Sequence, residues 1–376
     1  MAGIYVHIPF CKKACSYCDF HFSTSLKKKT ELIQALLKEI VLRKDFFSEE
    51  TISTIYFGGG TPSLLTTAEL NLVFECLYNN FHIDSSAEIT LEANPDDLTD
   101  DKINGLRNSP VNRLSIGVQS FRDEDLRFMN RAHSREQALE SIKQAQDKGF
   151  ENITIDLIYG IPGLLAQQWV DNLNIAFRLG IPHLSCYALT IEENTALYHQ
   201  IKQRKIESIS DEQIASQFEI LMSETKKNGY EQYEISNFCK SSNYSKHNSS
   251  YWNKDAYLGL GPSAHSYRGA KRMWNVSNNT KYINSLIEDK LPFEMEVLSL
   301  TDSFNEYVMT SLRTKWGCNI SYIQKEFSST LAHHFKKEIN KHLTKGFVRE
   351  ESGIYFLTET GKLHADGIAS DLFSIV

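Results

Sequence analysis

The chain has 376 residues, 41% hydrophobic and 23% charged, with seven cysteines, enough for one large domain and a smaller one, each with its own core. A formal charge of −7 and an isoelectric point near 6.0 leave no basic footprint for nucleic acid. No apolar run approaches the ~20 residues of a membrane-spanning helix, and no leader-like segment precedes the first motif, so a cytoplasmic, reducing location is expected.

In chain order, a β-like apolar run at 4–8 leads into Cys11, Cys15 and Cys18, spaced CxxxCxxC. Further β-like runs stand at 54–57, 88–92, 113–118, 153–159 and 184–189. Helical apolar spacing fills 30–46, 66–78, 100–107, 134–147, 167–179 and 211–227, and the lysines at 27–29 read as a solvated helix start. Six strands alternating with six helices predict an α/β fold with a parallel sheet. Beyond residue 230 the periodicity fades. The segment from Lys246 to Trp252 contains HNxxYW, and Tyr257 to Arg268, with two glycines and a proline, is expected as a turn-rich loop with close backbone packing. From about Ser303, short helices precede strands at 346–349 and 354–357 around the turn Glu350 to Gly353, which predicts a small α+β, winged-helix-like unit. The expected division is 1–230, a connecting segment 231–300, and 301–376.

The cysteine spacing carries the strongest chemical signal. Three thiolates can hold three irons of a [4Fe–4S] cube and leave the fourth iron open, a position suited to the amino and carboxylate groups of S-adenosylmethionine. Zinc and a disulfide are the competing readings. Zinc usually takes two separated ligand pairs and no second pair follows; seven cysteines cannot all pair within one chain. Cys76, Cys186, Cys239 and Cys318 are scattered and read as small apolar residues.

Polar and glycine punctuation falls at the carboxyl ends of the expected strands: Gly58-Gly59-Gly60-Thr61, then Glu92 with Asn94, then Gln119, then Asp156. In parallel α/β architectures that rim binds ligands. The glycines permit close backbone approach, the two carboxylates can accept from hydroxyls or pair with an ammonium, and Arg131 can fork onto a carboxylate beside Gln119. Each has a structural alternative: a turn for the glycines, core packing for Tyr5, a surface ion pair for Arg131. His247 suits axial ligation of haem iron but equally a hydrogen-bonded packing role, and His265 is a second histidine of the same kind.

The segment YVHIPFCKKACSYCDF resembles the radical SAM superfamily, in the porphyrin-related branch of oxygen-independent coproporphyrinogen III oxidase and the haem chaperone HemW. The resemblance extends over nearly the full chain. It implies an open parallel (β/α)6 barrel followed by a C-terminal domain near the barrel mouth. It also implies a [4Fe–4S] cluster on Cys11, Cys15 and Cys18, and S-adenosylmethionine contacts at Tyr5, Tyr17, Gly59, Gly60, Thr61, Glu92, Gln119, Arg131 and Asp156. The oxidase pattern carries a fourth cysteine two positions past the third, where this chain has Phe20, and a longer segment before the motif. HNxxYW resembles the chaperone side of the branch. That resemblance implies haem, with His247 as a candidate ligand, an acceptor haemoprotein that can be membrane-bound, and a flavodoxin- or ferredoxin-like electron donor if S-adenosylmethionine is cleaved. It assigns no catalytic residue, and oxidative decarboxylation of coproporphyrinogen III stays as the alternative.

Overall fold

The computed structural model describes residues 2–48 and 50–375, so residues 1 and 376, at the outer ends of the expected domains, lie outside it. Six parallel strands form the centre of the sheet: β1 (Ala2–Ile8), β2 (Ile52–Gly59), β3 (Ile83–Ala93), β4 (Arg113–Gln119), β5 (Ile153–Tyr159) and β6 (His183–Ala188). Each overlaps an apolar run legible in the sequence. β4 is buried at every residue and β1 at all but Tyr5, as expected for strands covered on both faces.

Helices return the chain between strands, and two of them, Thr67–Asn80 and Arg135–Asp147, begin with complete capping boxes from Thr66 with Glu69 and Ser134 with Gln137. The first helix, Lys29–Leu42, stops four residues before the expected 46. There Arg43 turns its side chain back onto Glu39, and a backbone turn closes from Phe46 N–H to Arg43 O.

Residues 231–297 do more than connect. They add six strands to the same sheet. β7 (Glu231–Gln232) and β8 (Asn237–Cys239) lie antiparallel along the β6 edge. β9 (Ala256–Leu260) pairs parallel to β1, and β10 (His265–Arg268), β11 (Lys271–Asn275) and β12 (Phe293–Val297) continue outward antiparallel. The expected turn-rich loop at 257–268 is therefore mostly strand, which periodicity misses because β9 and β10 are short. Its glycines do reflect close packing: a Cβ on Gly259 would stand 2.1 Å from the His265 carbonyl oxygen, and one on Gly261 2.5 Å from that of His7.

The C-terminal unit has its own sheet, β13 (Cys318–Asn319), β14 (Val348–Glu351) and β15 (Ile354–Leu357), in the order β13-β15-β14. Its separate core includes Phe304, Val308, Ile323 and Phe335. It docks on the barrel through Trp316, which packs edge-on against Tyr233 and Tyr244, and through a hydrogen bond from Lys315 N–H to Tyr233 O. Among the described residues no helix is long and apolar enough to cross a membrane.

Candidate functional site

The loop after β1 brings Cys11, Cys15 and Cys18 to the carboxyl end of the sheet, all half-buried and none in a disulfide. Two groups from distant parts of the chain donate to their sulfurs: Thr61 Oγ1 to Cys11 at 3.5 Å and Arg131 Nη1 to Cys15 at 3.2 Å. Burial pushes the Cys11 thiol up and the Cys18 thiol to about 11. Thiolates here therefore need compensating positive charge, from iron and from Arg131. Among the described residues no three acidic, cysteine or histidine side chains converge on a single metal position. A [4Fe–4S] cube demands less convergence, since each thiolate binds a different iron, and three free thiols on one loop with donors behind them suit it.

Arg131 is no surface ion pair. Besides Cys15 it donates through Nη2 to Asn94 Oδ1 at 2.5 Å and to Gly117 O at 2.9 Å. Asn94 in turn donates to Thr61 Oγ1 at 3.3 Å, which closes a ring from Cys11 through Thr61, Asn94 and Arg131 to Cys15. Asn94 stood in the sequence only as part of a strand-end motif; the bridge between Thr61 and Arg131 requires residues 33 and 37 positions away from it and leaves no local signal.

The glycines after β2 are demanded first by the protein's own packing. Gly59 has φ +106°, and a Cβ there would meet the His7 ring at 2.6 Å; a Cβ on Gly60 would meet Phe10 backbone at 2.7 Å. Gly60 N–H also closes onto Ile8 O, locking this turn against the root of the cysteine loop. Gln119 ends β4 in the left-handed region at φ +66°, a strained setting for a side chain of its type, and is buried beside Arg131 and Gly117.

Below this rim the barrel holds a polar cavity of about 240 Å³ whose lining includes Tyr5, Tyr56, Glu92, Arg113, Asp156 and His247. Burial pushes Glu92 up to about 7 despite the Tyr56 hydroxyl donating to it at 2.8 Å, and Asp156 up to about 6 despite hydrogen bonds from Ser185 and Ser115. These carboxylates are poised to accept hydrogen bonds or to hold a proton near neutrality. Tyr5 stacks near Tyr56 and reaches His7 Nδ1 at 3.2 Å, so it serves both packing and the cavity wall. Tyr17 packs on the core within electrostatic reach of Arg131, Cys15, Cys18 and Asp156.

HNxxYW forms most of the helix Lys246–Trp252, and it presents His247 inward. The ring is 1% exposed, bonded to Thr54 Oγ1 and to the Tyr251 hydroxyl, both at 2.8 Å, and stacked on Tyr56. Burial holds it neutral, lowering it to about 3. Both ring nitrogens are thus engaged, and iron ligation there requires one of these bonds to open. His265, by contrast, is exposed on β10 beside Trp274, close enough to His7 for like-charge repulsion.

Residues 5–176 match the radical SAM superfamily and residues 298–364 the HemN C-terminal domain. The chain is similar to the haem chaperone HemW of Bacillus subtilis, with 33% identity covering 96% of this chain and 97% of the relative. It is also similar to the HemW of Lactococcus lactis, with 32% identity covering 95% and 93%. A solved structure of coproporphyrinogen III oxidase (HemN) from Escherichia coli superposes with a TM-score of 0.86, covering 100% of this chain and 90% of that one, at 24% identity. That likeness establishes the fold.

Proposed function

This chain belongs to the HemW family within the radical SAM superfamily, and on that premise we propose that it binds haem and transfers it to an acceptor haemoprotein. The observation that carries the reading is the similarity to haem chaperones over nearly the full length of both chains. Membership of the superfamily implies S-adenosylmethionine and a [4Fe–4S] cluster. Cys11, Cys15 and Cys18 would hold the cluster, which when bound supplies a reducing iron site open to the nucleotide. Thr61 and Arg131 would stabilise the sulfurs by donation. Tyr5, Tyr17, Gly59, Gly60, Gln119, Glu92 and Asp156 would border the nucleotide, with the two carboxylates accepting from its hydroxyl and ammonium groups. The location is cytoplasmic on this reading, the acceptor can be membrane-bound, and a flavodoxin- or ferredoxin-like donor enters only if S-adenosylmethionine is cleaved.

Haem belongs outside the barrel cavity. At about 240 Å³ that cavity falls below the ~300–1,000 Å³ of sites for drug-sized ligands, and a porphyrin is larger than most of those. Its walls set two carboxylates and an arginine among tyrosine and histidine rings, charged groups that the apolar face of a macrocycle would leave unpaired. The exposed imidazole of His265, flanked by Trp274, offers iron an open nitrogen and the ring an aromatic neighbour. His247 supports the cavity wall and becomes a ligand only after rearrangement.

Phe20, 69% exposed, stands where the oxidase pattern has its fourth cysteine, and this weighs against coproporphyrinogen decarboxylation. The two functions separate in one experiment on an anaerobically reconstituted sample. Haem titration should give a saturable Soret change, and coproporphyrinogen III with reductant and S-adenosylmethionine should yield no protoporphyrinogen. Turnover without saturable haem binding overturns the proposal.

A further inference from the structure

We infer that β12 is a docking edge for an extended segment of another polypeptide in which basic side chains alternate with apolar ones. This inference rests on the sheet and stands apart from the haem reading. β12 is the last strand on its side of the twelve-stranded sheet, and all five of its residues are exposed. Its sequence, Phe293-Glu294-Met295-Glu296-Val297, alternates strictly, so three apolar side chains share one face and two carboxylates the other. Phe293, Met295 and Val297 are 38%, 50% and 65% exposed, an unusual outlay of apolar surface on an unpaired edge. Phe293 is the most covered of the three, with the Arg43 guanidinium 4.6 Å from its ring centre.

The backbone is presented for pairing. Val276 N–H bonds to Pro292 O and Leu298 N–H to Ala270 O, and β12 pairs with β11 in the register Trp274 with Glu294 and Arg272 with Glu296. Hydrogen-bonded pairs alternate along an antiparallel ladder, so Glu294 and Glu296 point their backbone groups inward to β11. Phe293, Met295 and Val297 point theirs outward. An added strand would bond to those three residues, bury its apolar side chains beside theirs, and place its other face against the glutamates.

Charge decides the occupant. Glu296 is answered by Arg272 at 3.0 Å, whereas Glu294 makes no ion pair among the described residues. A second copy is disfavoured, because a two-fold register centred on Met295 sets Glu294 against Glu296 of the other copy twice, and like charges directly opposite are destabilising. Lysine or arginine at those positions turns the same contacts favourable, and the net charge of −7 draws such a partner in from a distance.

The test uses the full chain and a blocked ten-residue peptide of alternating valine and lysine, with alternating valine and glutamate as control, read by fluorescence anisotropy. The lysine peptide should bind saturably and the glutamate peptide should not. Met295→Pro removes an outward N–H without touching the ladder to β11, so it should weaken binding at least tenfold while leaving the circular dichroism and melting temperature in place. Glu294→Gln combined with Glu296→Gln should weaken it several-fold and flatten its salt dependence. No saturable binding, or binding that survives Met295→Pro, overturns the inference. So does a homodimer in peptide-free protein that Met295→Pro dissociates, which would make the occupant a second copy.

Discussion

The guanidinium of Arg131 lies with Nη1 3.2 Å from Cys15 Sγ, although 116 residues separate the two in the chain. A hydrogen bond from a fixed cation favours the more negative state of whatever its acceptor holds, and cluster potentials respond to charge and to donors on the sulfurs. Replacing Arg131 by Gln should therefore lower the reduction potential of the reconstituted cluster by about 60 mV, the equivalent of ~1.4 kcal/mol for one electron. Redox titration followed by electron paramagnetic resonance checks it; an unchanged potential would mean that Arg131 only braces Asn94 and the Gly117 carbonyl.

Glu92 gives the unliganded protein a signed pH dependence. Burial raises its carboxyl from 4.5 in the reference state to about 7 in the fold. Between those values the folded state binds more protons than the unfolded one, so its contribution to stability is present below about 4.5 and is lost as pH rises through about 7. Chemical denaturation across pH 5 to 8 should show this loss, and Glu92→Gln should remove it. A variant with the same slope as the parent would shift the effect onto Asp156, raised to about 6 for the same reason.

How far the sequence reveals this molecule depends on distance along the chain. The six central strands are legible through apolar residues at strand spacing: in β4, Leu114, Ile116 and Val118 alternate with Ser115 and Gly117, and in β2, Ile55, Tyr56 and Phe57 stand in a row. The cysteines announce themselves because their chemistry lies in a local spacing. β7 to β12 do not, since strands of two to five residues carry too few positions for a period, and they join the sheet only through β9 on the distant β1 and β8 on β6. Asn94 becomes meaningful only when Thr61 and Arg131 arrive beside it. His247 shows the opposite case, a conspicuous motif residue whose chemistry the fold occupies with Thr54 and Tyr251.

Glu39 fastens the outer strands to the barrel. Its side chain is fully buried in the first helix, where it accepts from Gly261 N–H at 2.8 Å, Asn275 Nδ2 at 2.8 Å, the Tyr282 hydroxyl at 2.6 Å and Arg43 Nε at 3.2 Å. Glu39→Ala strands Arg43 without its carboxylate and leaves three further donors unmet, so a loss of about 3–5 kcal/mol is expected. Urea denaturation measures it. Glu39→Gln keeps the side-chain volume and one acceptor oxygen and should cost less; equal losses would assign the effect to the carboxylate charge and not to packing.

The two histidines make opposite predictions for haem. His265→Ala removes an exposed imidazole that accepts no hydrogen bond among the described residues, so it should leave stability nearly unchanged and abolish or shift the Soret response. His247→Ala breaks the bonds to Thr54 and Tyr251 and opens space against Tyr56, so it should destabilise the fold by about 1–3 kcal/mol while haem still gives a saturable Soret change. Comparing the two variants at a temperature where both are folded separates ligation from stability. Loss of the Soret change in folded His247→Ala, with His265→Ala behaving as the parent, would show that haem draws His247 out of its hydrogen bonds, at the cost of opening a wall of the barrel cavity.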